Sequence, residues 1–226
     1  MAKKMSERNP ITRWEIRAKN PKLFQKNNKV VICGQIEEDF KYSHRIPGTR
    51  EKIYRNRVIT IRDDGKTKDY IPILVSEYKL KNLHVKNMWI ELAGKITTYR
   101  GDAEDGHRYK GVNVFISECY IRNNKNDLIN SINENIVFIE GFLVQDALAF
   151  VEFKTELNIA VKRSNSVKSD YVPSIALGEK AQKIRNFKLG EHVSFYGRFQ
   201  SRKYPKKNEE KTVYEIFTYT VRLLDE

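Results

Sequence analysis

The sequence is poor in the residues that build most metal and catalytic centres. It has two cysteines and four histidines in 226 residues. Cys33 and Cys119 lie far apart, each inside an apolar, strand-like run. That excludes a disulfide-dense scaffold and reads as buried thiols of a reducing compartment. His44, His84, His107 and His192 are scattered, with no pair at metal-ligand spacing. The chain contains no G-x-x-x-x-G-K-[ST] phosphate loop, no G-x-S-x-G elbow and no H-E-x-x-H pair, so an enzyme, a cofactor and a bound metal are not expected. The acidic stretches EED (Glu37–Asp39), DDG (Asp63–Gly65) and GDAEDG (Gly101–Gly106) read as solvated turns. No apolar run is long enough to cross a bilayer, and the start, MAKKMSERNP, lacks the apolar centre of a secretion signal. A cytoplasmic protein without membrane contact is expected.

Acidic residues are also scarce relative to basic ones: 29 Asp and Glu against 42 Lys and Arg give a formal net charge of +13. Such an excess favours a polyanionic partner. It is unevenly spread, because residues 1–27 hold eight Lys/Arg and two Glu. This basic N-terminal arm suits binding to polyanions without sequence preference. Its Trp14, Ile16, Leu23 and Phe24 predict that part of it docks as a short helix.

The chain carries one block twice. KDYIPILVSE (Lys68–Glu77) returns as SDYVPSIALGE (Ser169–Glu179). Each copy opens with a glycine-bearing apolar run, NKVVICGQI (Asn28–Ile36) or NENIVFIEGFL (Asn133–Leu143). Each continues with VKNMWIELAGKITTY (Val85–Tyr99) or LGEHVSFYGRFQSRKY (Leu189–Tyr204). Each closes with YKGVNVFISECYI (Tyr109–Ile121) or TVYEIFTYTVRLL (Thr212–Leu224). A period of about a hundred residues means a duplicated domain rather than a solenoid. ITIR (Ile59–Arg62) and LNIAVKR (Leu157–Arg163) alternate as half-buried strands do. EKAQKIRNFKLG (Glu179–Gly190) repeats Ala181, Ile184 and Phe187 every three residues, as a short helix would. The order strand, strand, strand, helix, strand, strand predicts a mostly β protein of two tandem five-stranded OB-fold barrels, each with one short helix. Gly34, Gly94, Gly141 and Gly197 suit the sharply coiled strands of a small barrel. The expected division is an arm over 1–27, a first OB-fold domain over 28–121, a linker over 122–134 and a second OB-fold domain over 135–226.

On these residues the second copy resembles the OB domain of bacterial single-stranded DNA-binding proteins. The loosely kept N-x-V-x-x-x-G pattern ending at Gly141, with LNIAVKR, KSDYVPSIALGEKA, LGEHVSFYGRFQSRKY and VYEIFTYTVRLL, carries the likeness. The first copy fits the same scheme more loosely. The tandem arrangement is similar to duplicated members from clostridia-like bacteria and mobile elements. The resemblance implies a nucleoid-associated protein that binds single-stranded DNA in replication, recombination or repair. It implies stacking rings at Tyr171, Tyr70 and Tyr204, with Arg202 and Lys203 as nearby cations. It also implies four barrels per assembly, which two chains would supply as a homodimer. Six residues past the DY tyrosine, where the family has an aromatic, stand Leu177 and Ser76. Gly101 stands where the counterpart of Tyr204 would fall, beside Tyr99 and Arg100. The chain stops at RLLDE without the acidic tail that recruits replication proteins, which weakens that partner role.

The physical logic holds without the family. A binder indifferent to sequence needs π-faces for the bases, at about 1–3 kcal/mol per base. It also needs cations along the backbone path. On alternation, Arg198, Gln200, Arg202 and Tyr204 share one face of their strand. Lys162 and Arg163 end another strand. Arg55, Arg57 and Arg62 flank VITI, and Lys95, Tyr99 and Arg100 lie on KITTYR. These residues form the candidate DNA surface, and the second copy, with its complete cation-and-ring ending, is expected to bind better. Two rivals stand beside this reading: an interaction module of a replisome or primosome, and an RNA-binding OB protein.

Overall fold

The computed structural model describes residues 27–224 apart from 103–107, 129–131, 146–147, 152, 165 and 207–208. The basic arm and most of GDAEDG therefore lie outside the described residues.

Strands β1 (Asn28–Ile36), β2 (Lys41–Arg45), β3 (Lys52–Ile61), β4 (Lys68–Ser76), β5 (Trp89–Asp102) and β6 (Arg108–Arg122) form the first barrel. Strands β7 (Asn135–Leu143), β8 (Leu148–Val151), β9 (Lys154–Lys162), β10 (Ser169–Leu177), β11 (His192–Lys206) and β12 (Glu209–Leu223) form the second. Each barrel is an OB fold of five long strands with one short extra edge strand, β2 or β8. The extra strands lacked a clear signal because KYSHR and LAFV are too short to show a period.

Alternation places the core. In β9 every second residue is buried, including Leu157, Ile159 and Val161, and at the end of β3 Val58 and Thr60 are buried on alternate positions. The fully buried Ile32, Ile36, Ile71, Ile73, Ile90 and Ile96 fill one barrel, and Ile139, Leu143, Phe195 and Phe199 fill the other. Each such side chain contributes roughly 1.5–3 kcal/mol by leaving water.

Closure of each barrel requires a glycine. β1 turns back onto β3, pairing Gln35 with Ile59, and β7 onto β9, pairing Phe142 with Ala160. A Cβ on Gly34 would stand 2.4 Å from the Ile59 carbonyl oxygen, and one on Gly141 would stand 2.3 Å from that of Ala160. No side chain fits there without moving backbone.

The helix of the second copy is α1 (Glu179–Ile184), which buries Ala181 and Ile184. Thr155 donates its hydroxyl to the Ala181 carbonyl at 3.1 Å, fixing α1 to β9. The equivalent piece of the first copy is one 3-10 turn, Glu77–Lys79, capped where Ser76 Oγ accepts from the Tyr78 amide. It lacks a buried apolar residue, so nothing draws it into a longer helix.

The barrels are joined edge to edge. β1 pairs antiparallel with β7, from Asn28 opposite Ile139 to Ile32 opposite Asn135. All twelve strands consequently belong to one sheet, ordered β2-β3-β4-β6-β5-β1-β7-β11-β12-β10-β9-β8.

Candidate nucleic-acid interface

Around the β1–β7 ladder, two further contacts lock the barrels together, and the duplication makes them equivalent. In one, Arg62 grips Asp69 with two bonds of 2.9 and 2.7 Å and donates to the Ser201 carbonyl of the other barrel at 3.2 Å. Asp69 accepts from the Ser201 amide at 2.8 Å, and the Ser201 hydroxyl accepts from the Tyr70 amide at 2.9 Å. In the other, Arg163 grips Asp170 at 2.9 and 2.7 Å and donates to the Thr98 carbonyl at 2.8 Å. Asp170 accepts from the Thr98 amide at 2.6 Å, and the Thr98 hydroxyl oxygen accepts from the Tyr171 amide at 3.2 Å. Asp69 and Asp170 are buried. The pairing with Asp69 raises the Arg62 guanidinium above its ordinary range.

Arg62 and Arg163, both among the candidate DNA residues, point into the seams between the barrels, where a carboxylate and a carbonyl accept from their Nε and Nη2 groups. The residues that matter there, Asp69, Asp170, Thr98 and Ser201, drew no attention in the sequence. The signal was present: an aspartate precedes the tyrosine of the repeated block in both copies.

The candidate side chains otherwise lie on the outer faces, because paired residues of neighbouring strands project to the same side. In the first barrel Arg55, Arg57 and Ile59 lie opposite Leu74, Pro72 and Tyr70. Leu74 continues to Phe115 on β6, and Phe115, Asn113 and Gly111 lie opposite Lys95, Thr97 and Tyr99. One surface therefore carries Arg55, Arg57, Tyr70, Lys95 and Tyr99. The Tyr99 ring lies over Gly111, where a Cβ would come within 2.1 Å of it. Arg100, the next residue along the strand, projects to the opposite side.

The second barrel repeats this surface with different chemistry. Glu156, Asn158 and Ala160 lie opposite Ile175, Pro173 and Tyr171. Ile175 continues to Phe217, and Arg198, Gln200, Arg202 and Tyr204 lie opposite Phe217, Glu215, Val213 and Lys211. The alternation expected for β11 holds, and Lys203 falls on the other side. Gln200 and Glu215 are each 4% exposed, and Gln200 donates to Glu215 at 2.8 Å. Gln200 is thus closed off from a ligand, contrary to its place among the candidates.

The cations differ in how far they are already committed. Arg202 bonds Glu215 at 3.2 Å, and that bond raises its pKa. Lys203 bonds Glu210 at 2.6 Å, with the same effect. Arg198 lies 4.6 Å over the Phe217 ring and 5.9 Å from that of Tyr219. In the first barrel Arg57 pairs with Glu37 while lying 5.9 Å from the Tyr70 ring. Among the described residues, Arg55, Lys95, Arg100 and Lys162 have no ion-pair partner. Three of these four belong to the first copy. Tyr99 is 46% exposed and Tyr171 39%, whereas Tyr70 and Tyr204 are half-buried.

Among the described residues no group of three or more His, Cys, Asp or Glu is placed to hold a metal ion. No helix of these residues is long and apolar enough to cross a membrane.

No protein-family model matches the sequence, and no curated protein matches it. The backbone does have relatives among solved structures. It is similar to the wild-type single-stranded DNA binding protein from Thermus aquaticus, with a TM-score of 0.66 and 15% identity, covering 88% of this chain and 93% of that one. A deletion variant of the same Thermus protein gives a TM-score of 0.68 at 15% identity, covering 88% of this chain and 95% of that one. The likeness extends across both barrels and is one of fold.

Proposed function

We propose that the chain binds single-stranded DNA without strong sequence preference, as a binding protein rather than an enzyme. The observation that carries this is the outer surface of the barrels, where tyrosines stand beside cations on adjoining strands. Bases stack on such rings at about 1–3 kcal/mol each, and the cations follow the phosphates. The fold shared with a Thermus single-stranded DNA binding protein supports the same reading. Work on exposed strands in replication, recombination or repair follows from this chemistry. In this proposal residues 28–121 and 135–226 act as the two binding domains, 122–134 joins them, and the basic arm 1–27 adds non-specific attraction. Two chains pair to present four barrels.

The test is fluorescence anisotropy with oligo-dT, duplex DNA and oligo-U at two salt concentrations. Preference for oligo-dT with a steep salt slope is expected. Equal binding to duplex overturns the reading, and preference for oligo-U assigns the surface to RNA. Leu177, 43% exposed where the resembled family has an aromatic, favours a second reading as an apolar contact for a replication protein. A normal oligo-dT affinity in Leu177→Ser would fit that second role for this position.

A further inference from the structure

The two seams have the same latch but opposite surroundings. The β5–β10 seam holds a cavity lined by Asn28, Lys95, Thr97, Lys162, Arg163 and Asp170. Its one carboxylate, Asp170, is fully engaged by Arg163 and Thr98. Lys95 from the first barrel and Lys162 from the second line the same space, with no ion-pair partner among the described residues. The exposed Tyr99 and Tyr171 are each next in sequence to a latch residue, Thr98 or Asp170, and Tyr99 shares its strand face with Lys95 and Thr97.

The β4–β11 seam is the duplicate of this one. The repeat puts Ile61 in the place of Lys162 and Arg198 in the place of Lys95. Its cavity is lined by Ile61, Arg62, Asp63, Asp69, Glu134 and Arg198, among others. It thus has one cation fewer, two further carboxylates, and an arginine already lying over aromatic rings.

We infer that the β5–β10 seam is a phosphate-binding site built jointly by both barrels, with Lys95 and Lys162 holding neighbouring phosphates of one strand. Tyr99 and Tyr171 take the bases on either side, so the strand crosses from one barrel to the other here. The β4–β11 seam does not serve as an equivalent crossing, because its carboxylates repel the backbone. This inference rests on the single-strand reading above and adds where the strand is anchored.

The probe is an oligo-dT of about five nucleotides, near the lower limit for one OB fold and too short to cover both outer faces. Its affinity is followed from low to moderate salt for the full chain. Each of Lys95→Gln and Lys162→Gln is expected to reduce the slope of log affinity against log salt by about 0.7, and the pair by about 1.4. Ile61→Lys, which places an ammonium in the other seam, beyond the reach of a probe held between Lys95 and Lys162, is expected to leave the slope unchanged. A slope steeper by about 0.7 would show that the probe sits at the β4–β11 seam and overturn the assignment. If the wild type shows no preference for oligo-dT over duplex, the single-strand reading itself falls. If the wild type binds with a steep slope that both lysine variants retain, the seam site falls and the single-strand reading stands. A short probe that senses only one of the two lysines overturns the joint site, since the lysines would then serve separate faces.

Discussion

The two barrels agree in their frame and disagree on their surface. Asn28 brackets Ile96 through its side-chain amide, and Asn135 brackets Phe199 in the same way. Arg62 with Asp69 and Arg163 with Asp170 reach across the seams with nearly equal bond lengths. On the outer face Arg55 becomes Glu156 and Tyr99 becomes Arg202. The buried polar bonds cannot be lost singly without stranding a donor or acceptor, at about 1–3 kcal/mol each. A surface side chain carries no such penalty, so the copies were free to diverge in charge. The complete cation-and-ring ending of the second copy pointed to it as the better binder. The pairing of those cations with Glu215 and Glu210 favours the first copy and the β5–β10 seam instead.

The sharpest way to break the comparison is at the latches. Asp69→Ala and Asp170→Ala each leave an arginine in the seam without its carboxylate, which costs about 3–5 kcal/mol for a buried pair. Arg163 is the more exposed arginine, so Asp170→Ala falls at the low end. Denaturant unfolding checks both, and unequal losses beyond this margin would show that the seams are not equivalent. Next come the rings. Tyr99→Ala and Tyr171→Ala are each expected to lose about 1–3 kcal/mol of oligo-dT binding with the fold intact, and more than Tyr70→Ala or Tyr204→Ala. Anisotropy titration ranks the four, and a larger loss at Tyr204 would return the main surface to β11. A smaller change is expected for Glu215→Gln, which releases Arg202 and steepens the salt slope by about 0.7, while Asn113→Glu reduces it in the first barrel. The smallest concerns Cys33, which occupies the position of Glu140 in the second copy. Burial, with Glu91 and Glu134 nearby, pushes its thiol up to about 12. The thiolate is the reactive form, so Cys33 stays protonated at pH 8 and reacts with thiol reagents far more slowly than in denaturant. Equal rates in the two conditions would contradict its burial.

Much of the fold could be read directly. The repeated DY block, the glycines and the alternation in β3, β9 and β11 announced the strands, and alternation correctly set Arg198, Arg202 and Tyr204 on one face. The state of the charges could not be read. Arg202 finds Glu215 across a long hairpin, and Arg62 finds Asp69 across the turn at Asp63–Gly65. A sequence shows that a cation is present and leaves open whether a carboxylate already holds it. The seams were hidden for the same reason: Lys95 and Lys162 are 67 positions apart and meet only because β1 pairs with β7.

That β1–β7 ladder has a consequence for how the two halves act together. With the barrels fixed in one continuous sheet, their separation and relative orientation are set before any ligand arrives. On the proposed function, a DNA strand engaged by one half meets the other at a high effective concentration, with no tether to straighten and little rotational freedom left to lose. Bivalent attachment is then governed by the geometry of the sheet, and weakening either half would shorten the residence time of the whole.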